Sequence, residues 1–260
     1  MRIYLINLER RPDRRAAMAA KARALGLELE RVAALDAAVC DRNMVAQWFM
    51  AGGPLGEIPL GDKACLLSHR AAWNLFLASG EAHGAFLEDD VRLAQAARHL
   101  LADGGWIPDG IMAVKLEHYG PLGQRVLVSD LRGVEMQGQN FQLGRMLSRH
   151  TGAAAYILSR QAARLLLART RFDLPVDHLL FNPNNSPVFA ALSPWQLLPA
   201  IARQDAETSD IEATRKGLRA FGPRYLKREL VRLGYDLKLV PRQVAALLKG
   251  AKFVAVKTAD

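Results

Sequence analysis

The chain of 260 residues has two cysteines, Cys40 and Cys65, and neither stands at a metal-ligand spacing. So few thiols exclude a disulfide scaffold and point to a reducing compartment. No stretch approaches the roughly 18 to 20 uncharged apolar residues of a membrane-spanning helix. The start is not that of a secretory leader either: after Met1-Arg2 only Ile3 to Ile6 precede Asn7, Glu9 and Arg10. Aromatics are scarce at 7% and charged residues ordinary at 23%, which fits neither a fibrous nor a disordered class. Internal repeats and low-complexity tracts are absent. Half the residues are hydrophobic, ample for a core. A cytoplasmic protein is the expectation.

The net charge of +9 is unevenly spread. From Arg215 to Lys257 twelve basic residues face only Glu229 and Asp236, a surplus of ten that leaves the rest at about −1. A neutral body with a basic tail suits an anionic surface. In that tail Leu226, Leu230, Leu233 and Leu237 recur at helical spacing among Lys227, Arg228, Arg232 and Lys238, an amphipathic pattern with a cationic face. The expected partner is an anionic membrane; the alternative is a helix packed on the body. Nucleic acid is not expected, because the tail has few aromatics for stacking and no binding motif.

Along the body, Arg2 to Leu8 reads as a buried strand, expected near the centre of a sheet, and Pro12-Asp13 opens a helix stopped by Gly26. Leu29 to Leu35 reads as a strand, Asn43 to Met50 as a short helix, and Asp62 to Ala78 as a longer helix closed by Gly80. Further strands are expected at Gly84–Leu87, Ile111–Leu116 and Gly152–Leu158, and Ser159 caps a helix over 160–167. This alternation predicts an α/β domain with a mainly parallel sheet over residues 1–211, followed by a basic helical appendage over 212–260.

Three segments carry candidate chemistry. Glu88-Asp89-Asp90 follows an apolar strand, and three acids there repel one another unless a cation sits among them; Mg²⁺ or Mn²⁺ prefers such oxygens. Arg10, Arg11, Arg14 and Arg15 lie around the first helix start, where phosphates are held well, though such a turn is also commonly a solvated, self-paired one. In the third segment, Ser68 and His69 point about 100° apart on a helix and so form no nucleophile–base couple. Cys65 and His69 share a face without further soft ligands; by itself His69 reads as structural.

Taken in order, these segments resemble glycosyltransferase family 25, the lipooligosaccharide galactosyltransferase-like family of bacterial surface-glycan enzymes. The likeness rests on Ile6-Asn7-Leu8-x-Arg10-Arg11-x-Asp13-Arg14, on Gly61-x3-Cys65-x2-Ser68-His69-x3-Trp73, and on Phe86-Leu87-Glu88-Asp89-Asp90. Lys115-Leu116, Gly152-x3-Tyr156-x2-Ser159, Pro175-x-Asp177 and Gln204-x4-Ser209-x-Ile211 extend it over about residues 2 to 211. The resemblance implies a GT-A-like nucleotide-binding fold and a UDP-sugar donor, with galactose the family's default. It implies a divalent metal at Glu88, Asp89 and Asp90, where a leading Glu departs from a strict Asp-x-Asp and leaves open which acid assists Asp90. Asn7, Arg10, Arg11 and Arg14 would hold the nucleotide, with Ser68, His69 and Lys115 also on the donor side. Transfer with inversion would need a carboxylate base. Asp177 stands where the family has a late acid, with a helix N-cap as its alternative role, and Glu117 is the second candidate. The acceptor would be a lipopolysaccharide-type glycan or glycolipid reached from the inner face of the cytoplasmic membrane. A metal-dependent nucleotidyltransferase and a non-catalytic membrane- or glycan-binding module are the competing readings.

Overall fold

The computed structural model describes residues 1–121, 124–204 and 223–259. Its centre is a nine-stranded sheet. In chain order the strands of this sheet are β1 (Arg2–Leu8), β2 (Glu30–Ala34), β3 (His83–Glu88), β5 (Ala113–Lys115), β7 (Arg125–Met136), β8 (Gln139–Met146), β9 (Ala155–Ser159), β10 (Trp195–Leu198) and β12 (Lys252–Ala255). Across the sheet they run β12-β7-β8-β10-β5-β9-β3-β1-β2. A second, three-stranded sheet joins β4 (Val91–Leu93), β11 (Ala202–Gln204) and β6 (Glu117–His118).

The pairing corrects the expected mainly parallel sheet. Parallel pairs are β1 with β2, β1 with β3, and β5 with β10. The remaining five pairs of the large sheet are antiparallel, so the sheet is mixed. Two features cause this. β9 inserts antiparallel between β3 and β5, and residues 125–146 fold as a hairpin instead of a crossover. Its two-residue turn, Gln137-Gly138, has φ of 51° and 75°, the left-handed pair that matches the twist of flanking strands. β1 is internal, but it lies one strand from the edge, not at the centre.

Alternation along the strands builds a core on each face. Ile3 and Leu5 of β1 join Ala85 and Leu87 of β3 beneath the helix α1 (Pro12–Ala24), whose Met18 and Ala22 are buried there. Tyr4, Ile6 and Phe86 point the other way, toward α3 (Leu60–Ala78) and its Trp73 and Phe76. α5 (Arg160–Leu167) and α6 (Val176–Phe181) cover the same face, through Leu166 and Phe181 among others. Ser159 caps α5 as expected, its side chain accepting from Ala162 N–H. The helix expected over 43–50 is shorter, α2 (Arg42–Ala46).

Beyond Gln204 the described chain resumes as one long helix, which we number α8 (Pro223–Leu248), with α4 (Ala97–Leu100) and α7 (Phe189–Leu192) completing the set. α8 contains Pro241, and it touches the body where Asn184 donates to Asp236 and Gln243 to Leu147 O. Residues 212–260 are therefore not all helix: β12 pairs with β7, and Ala259 N–H donates to Ala200 O. Ser209, Ile211, Arg215, Lys216 and Arg219 lie outside the described residues, as do the side chains of Leu226 and Leu230. Among the described residues no helix is long and apolar enough to cross a membrane.

Candidate functional site

β2, β1 and β3 are adjacent and parallel, so their carboxyl ends open on the same side of the sheet, where open α/β sheets bind ligands. A cleft of about 810 Å³ lies there, floored by Ile6, Leu8, Ala34 and Leu35 and walled by the first half of α3. Of the residues singled out in the sequence, Arg10, Arg14, Cys65, Ser68, Glu88, Asp89 and Asp90 line it. Asn7, Arg11, His69, Lys115, Glu117 and Asp177 do not.

The three acids at the end of β3 have different surroundings. Asp89 turns toward the start of the chain: Asn7 Nδ2 donates to its Oδ2 at 2.6 Å, and Arg14 Nη1 to its Oδ1 at 3.2 Å. Asn7 is itself buried, donating also to Arg11 O and accepting from Arg31. It braces the turn after β1. Glu88 and Asp90 instead face each other across Gln204, whose side-chain amide donates to Asp90 Oδ2 at 3.1 Å and reaches Glu88 Oε2 at 3.5 Å. β11 delivers Gln204 by pairing antiparallel with β4, which sets it opposite Val91. Burial and the neighbouring Glu88 push Asp90 up to about 7. Its Oδ1 is buried without a hydrogen-bond partner among the described residues.

Behind Glu88 lies a group of buried polar side chains from α3. His69 Nε2 is 3.1 Å from Glu88 Oε1, and Cys65 Sγ is 3.7 Å from the same oxygen. Burial and Glu88 hold the Cys65 thiol well above its ordinary range, so it stays protonated. Ser68 Oγ accepts from Leu35 N–H and donates to Ala64 O, fastening α3 to the strand end beside the cleft.

Lys115 is fully buried, its ammonium 2.6 Å from Glu117 Oε1 and 4.7 Å from the Phe181 ring. Burial lowers the Lys115 pKa, and the negative charges of Glu117, Asp177 and Glu88 oppose that shift. Glu117 Oε1 also accepts from Ala154 N–H. Asp177 is half-buried in the first turn of α6. Pro175 holds the N-cap position, which sets aside the capping role for Asp177. Arg10 pairs with Asp36 at 2.6 Å on the rim, and Arg11 with the exposed Asp13 at 2.7 Å, the self-pairing open to such a turn.

Several cleft residues had no role assigned from sequence. Gln204 lies over a hundred positions beyond the acids it joins; the family resemblance includes it but gave it no role. Asp36, Arg42 and Asn43 line the cleft from the loop after β2 and from α2, and that loop carried no chemical signature.

The sequence profile of "Glycosyltransferase family 25 (LPS biosynthesis protein)" matches residues 1–180. The chain is 30% identical over 218 residues to the Lacto-N-neotetraose biosynthesis glycosyltransferase LgtB of Neisseria gonorrhoeae, covering 79% of this chain and 75% of that one. It is 25% identical over 203 residues to the Lipooligosaccharide biosynthesis protein lic2B of Haemophilus influenzae, covering 71% and 72%. A Glycosyltransferase 25 family member of Anopheles gambiae is 28% identical over 251 residues, 85% of this chain and 40% of that protein.

Proposed function

Because the chain belongs to glycosyltransferase family 25, we propose that it transfers a hexose, with galactose first in line, from a UDP-sugar to a lipooligosaccharide-type acceptor. The observation that carries this reading is the cleft at the ends of three parallel strands, with two facing carboxylates on one wall and arginines at its rim. GT-A-like architecture is part of the proposal, supported by that nucleotide-sized cleft.

Glu88 and Asp90 fit a divalent cation. Both are hard oxygen donors, they lie close enough to raise Asp90, and Asp90 Oδ1 is left unsatisfied in a buried position. Mn²⁺ or Mg²⁺ bound there would neutralise the charge that develops on a departing nucleoside diphosphate. The chain's own residues do the rest. Arg10 and Arg14 line the same cleft, where diphosphate oxygens would accept from their guanidinium groups. Asp89, braced between Asn7 and Arg14, fixes the turn that presents its two neighbours. Asp177 is the proposed base toward the acceptor hydroxyl with inversion at the sugar carbon, since it keeps some exposure while Glu117 is buried against Lys115.

Peripheral association with the inner face of the cytoplasmic membrane belongs to the same reading. On α8, Leu233, Leu237, Val240, Val244 and Leu247 form one exposed stripe at i, i+4, i+7, i+11 and i+14, accompanied by Lys238, Arg242 and Lys249.

The test is UDP release from a panel of UDP-sugars, with and without Mn²⁺, for the wild type and Asp90→Ala. Metal-dependent release from one donor, lost in the variant and faster with a lipooligosaccharide acceptor, is expected. Formation of a UDP-sugar and pyrophosphate from UTP and a sugar 1-phosphate, with no release of UDP, would indicate a nucleotidyltransferase. Failure to bind any nucleotide-sugar would leave a glycan-binding module.

A further inference from the structure

α3 carries Cys65, His69 and Trp73 at four-residue intervals, which places them on one buried face. Opposite them, β9 presents Tyr156, stacked between the rings of Phe86 at 5.2 Å and His69 at 5.7 Å. Tyr156 Oη lies 2.8 Å from Trp73 Nε1 and 2.8 Å from His69 Nδ1, and all three side chains are fully buried. The other ring nitrogen, Nε2, lies 3.1 Å from Glu88 Oε1.

Donor and acceptor inventory gives this chain of contacts one direction. An indole N–H only donates, so the Tyr156 oxygen accepts from Trp73. Burial keeps the Tyr156 phenol well above its ordinary range, so it retains its proton. Among the described residues the sole acceptor in reach of that proton is His69 Nδ1. Nδ1 is then bare, the neutral ring carries its hydrogen on Nε2, and that hydrogen points at Glu88. We propose that Trp73, Tyr156 and His69 are positioning residues, a one-way hydrogen-bond relay that clamps Glu88 Oε1 and leaves Oε2 directed at Gln204 and Asp90. The inference rests on Glu88 having the metal-binding role proposed above.

The relay also decides between two uses of the same atoms. Cys65 Sγ, a His69 ring nitrogen and a Glu88 oxygen lie within 4.8 Å of one another, a spacing that a soft cation such as Zn²⁺ accepts. A metal on Nε2 requires the hydrogen to move to Nδ1. Tyr156 would then receive two hydrogen bonds, and its own proton would be stranded in a fully buried place. The relay is satisfied at every atom; the soft-metal arrangement is not.

Two measurements test this. In the full chain labelled with ¹⁵N-histidine, with the His69 signals identified by their loss in His69→Gln, Nε2 should be protonated and Nδ1 bare, and Tyr156→Phe should abolish that fixed tautomer. The opposite tautomer, or Zn²⁺ binding that vanishes in Cys65→Ser, overturns the relay. Mn²⁺ titration in the presence of UDP is the functional arm. His69→Leu and Tyr156→Phe should weaken Mn²⁺ by about ten- to a hundredfold, the usual effect of losing a group that orients a metal ligand. His69→Gln, which keeps an N–H near Nε2, should stay within a few-fold of wild type even if its unfolding temperature falls as far as that of His69→Leu. Affinity that tracks unfolding temperature in all three variants makes the residues merely structural and overturns the proposal. Absence of Mn²⁺ binding in the wild type would defeat the metal reading alone, because the tautomer still decides the relay.

Discussion

The ammonium of Lys115 and the carboxylate of Glu117 lie 2.6 Å apart with neither side chain exposed to solvent. The two residues leave the strand end two positions apart, and the same ammonium is felt by Asp177 and Glu88. A charge pair so deep is costly to form, and far more costly to break from one side.

Lys115→Met should therefore destabilise the fold by about 3–5 kcal/mol, because Glu117 stays buried without its counter-ion. Urea unfolding followed by far-ultraviolet circular dichroism measures this. Adding Glu117→Gln to Lys115→Met should return a good part of the loss, since the stranded charge is then gone. An unchanged midpoint in the single variant would mean that the pair contributes nothing to stability.

Asp90 gives a pH-dependent prediction. Burial and Glu88 raise it to about 7 from a starting value of 3.8. Between these values the folded chain holds a proton that the unfolded chain has released. Stability thus falls as pH rises through that window and levels off above it. Asp90→Asn removes the effect and should stabilise the metal-free protein at pH 8 by up to about 4 kcal/mol, with little change at pH 4. Thermal unfolding in EDTA at both values checks the sign. A variant less stable than wild type at pH 8 would contradict it.

For α8 the expectation is binding to anionic vesicles at low salt and release as salt is raised, with weak binding to neutral ones. Leu237→Glu with Val244→Glu places charge within the exposed stripe, where the parent residues are 60% and 48% exposed. Cosedimentation should drop to background, while UDP release from the donor in the presence of a soluble acceptor continues. Retained sedimentation would show that the stripe is not the contact.

Which parts of this molecule can be read from its sequence follows from the range of the forces involved. β1, α1, α3 and the capped start of α5 are all legible, because apolar spacing, Pro12, Gly26, Gly80 and Ser159 act within one turn or strand. The hairpin of β7 and β8 is not. The outer half of β7 is mostly exposed and shows no apolar rhythm, and Gly138 was its only local mark. The same limit holds in the site. Three acids after a strand can be seen at once, but their separate orientations depend on Asn7, Arg14 and Gln204, each more than seventy positions away. His69 reads as structural by itself because its meaning lies in Tyr156, 87 residues later.

The position of β10 has a consequence for how the molecule is made. It lies between β8 and β5, joining the hairpin side of the large sheet to the side that bears the cleft. On a ribosome the hairpin leaves the exit tunnel well before β10 does, with one edge bare until Trp195–Leu198 arrives. The cleft-bearing half and the hairpin half must wait for that late segment, so the interval before its synthesis is when the nascent chain is most open to mispairing and to chaperone capture.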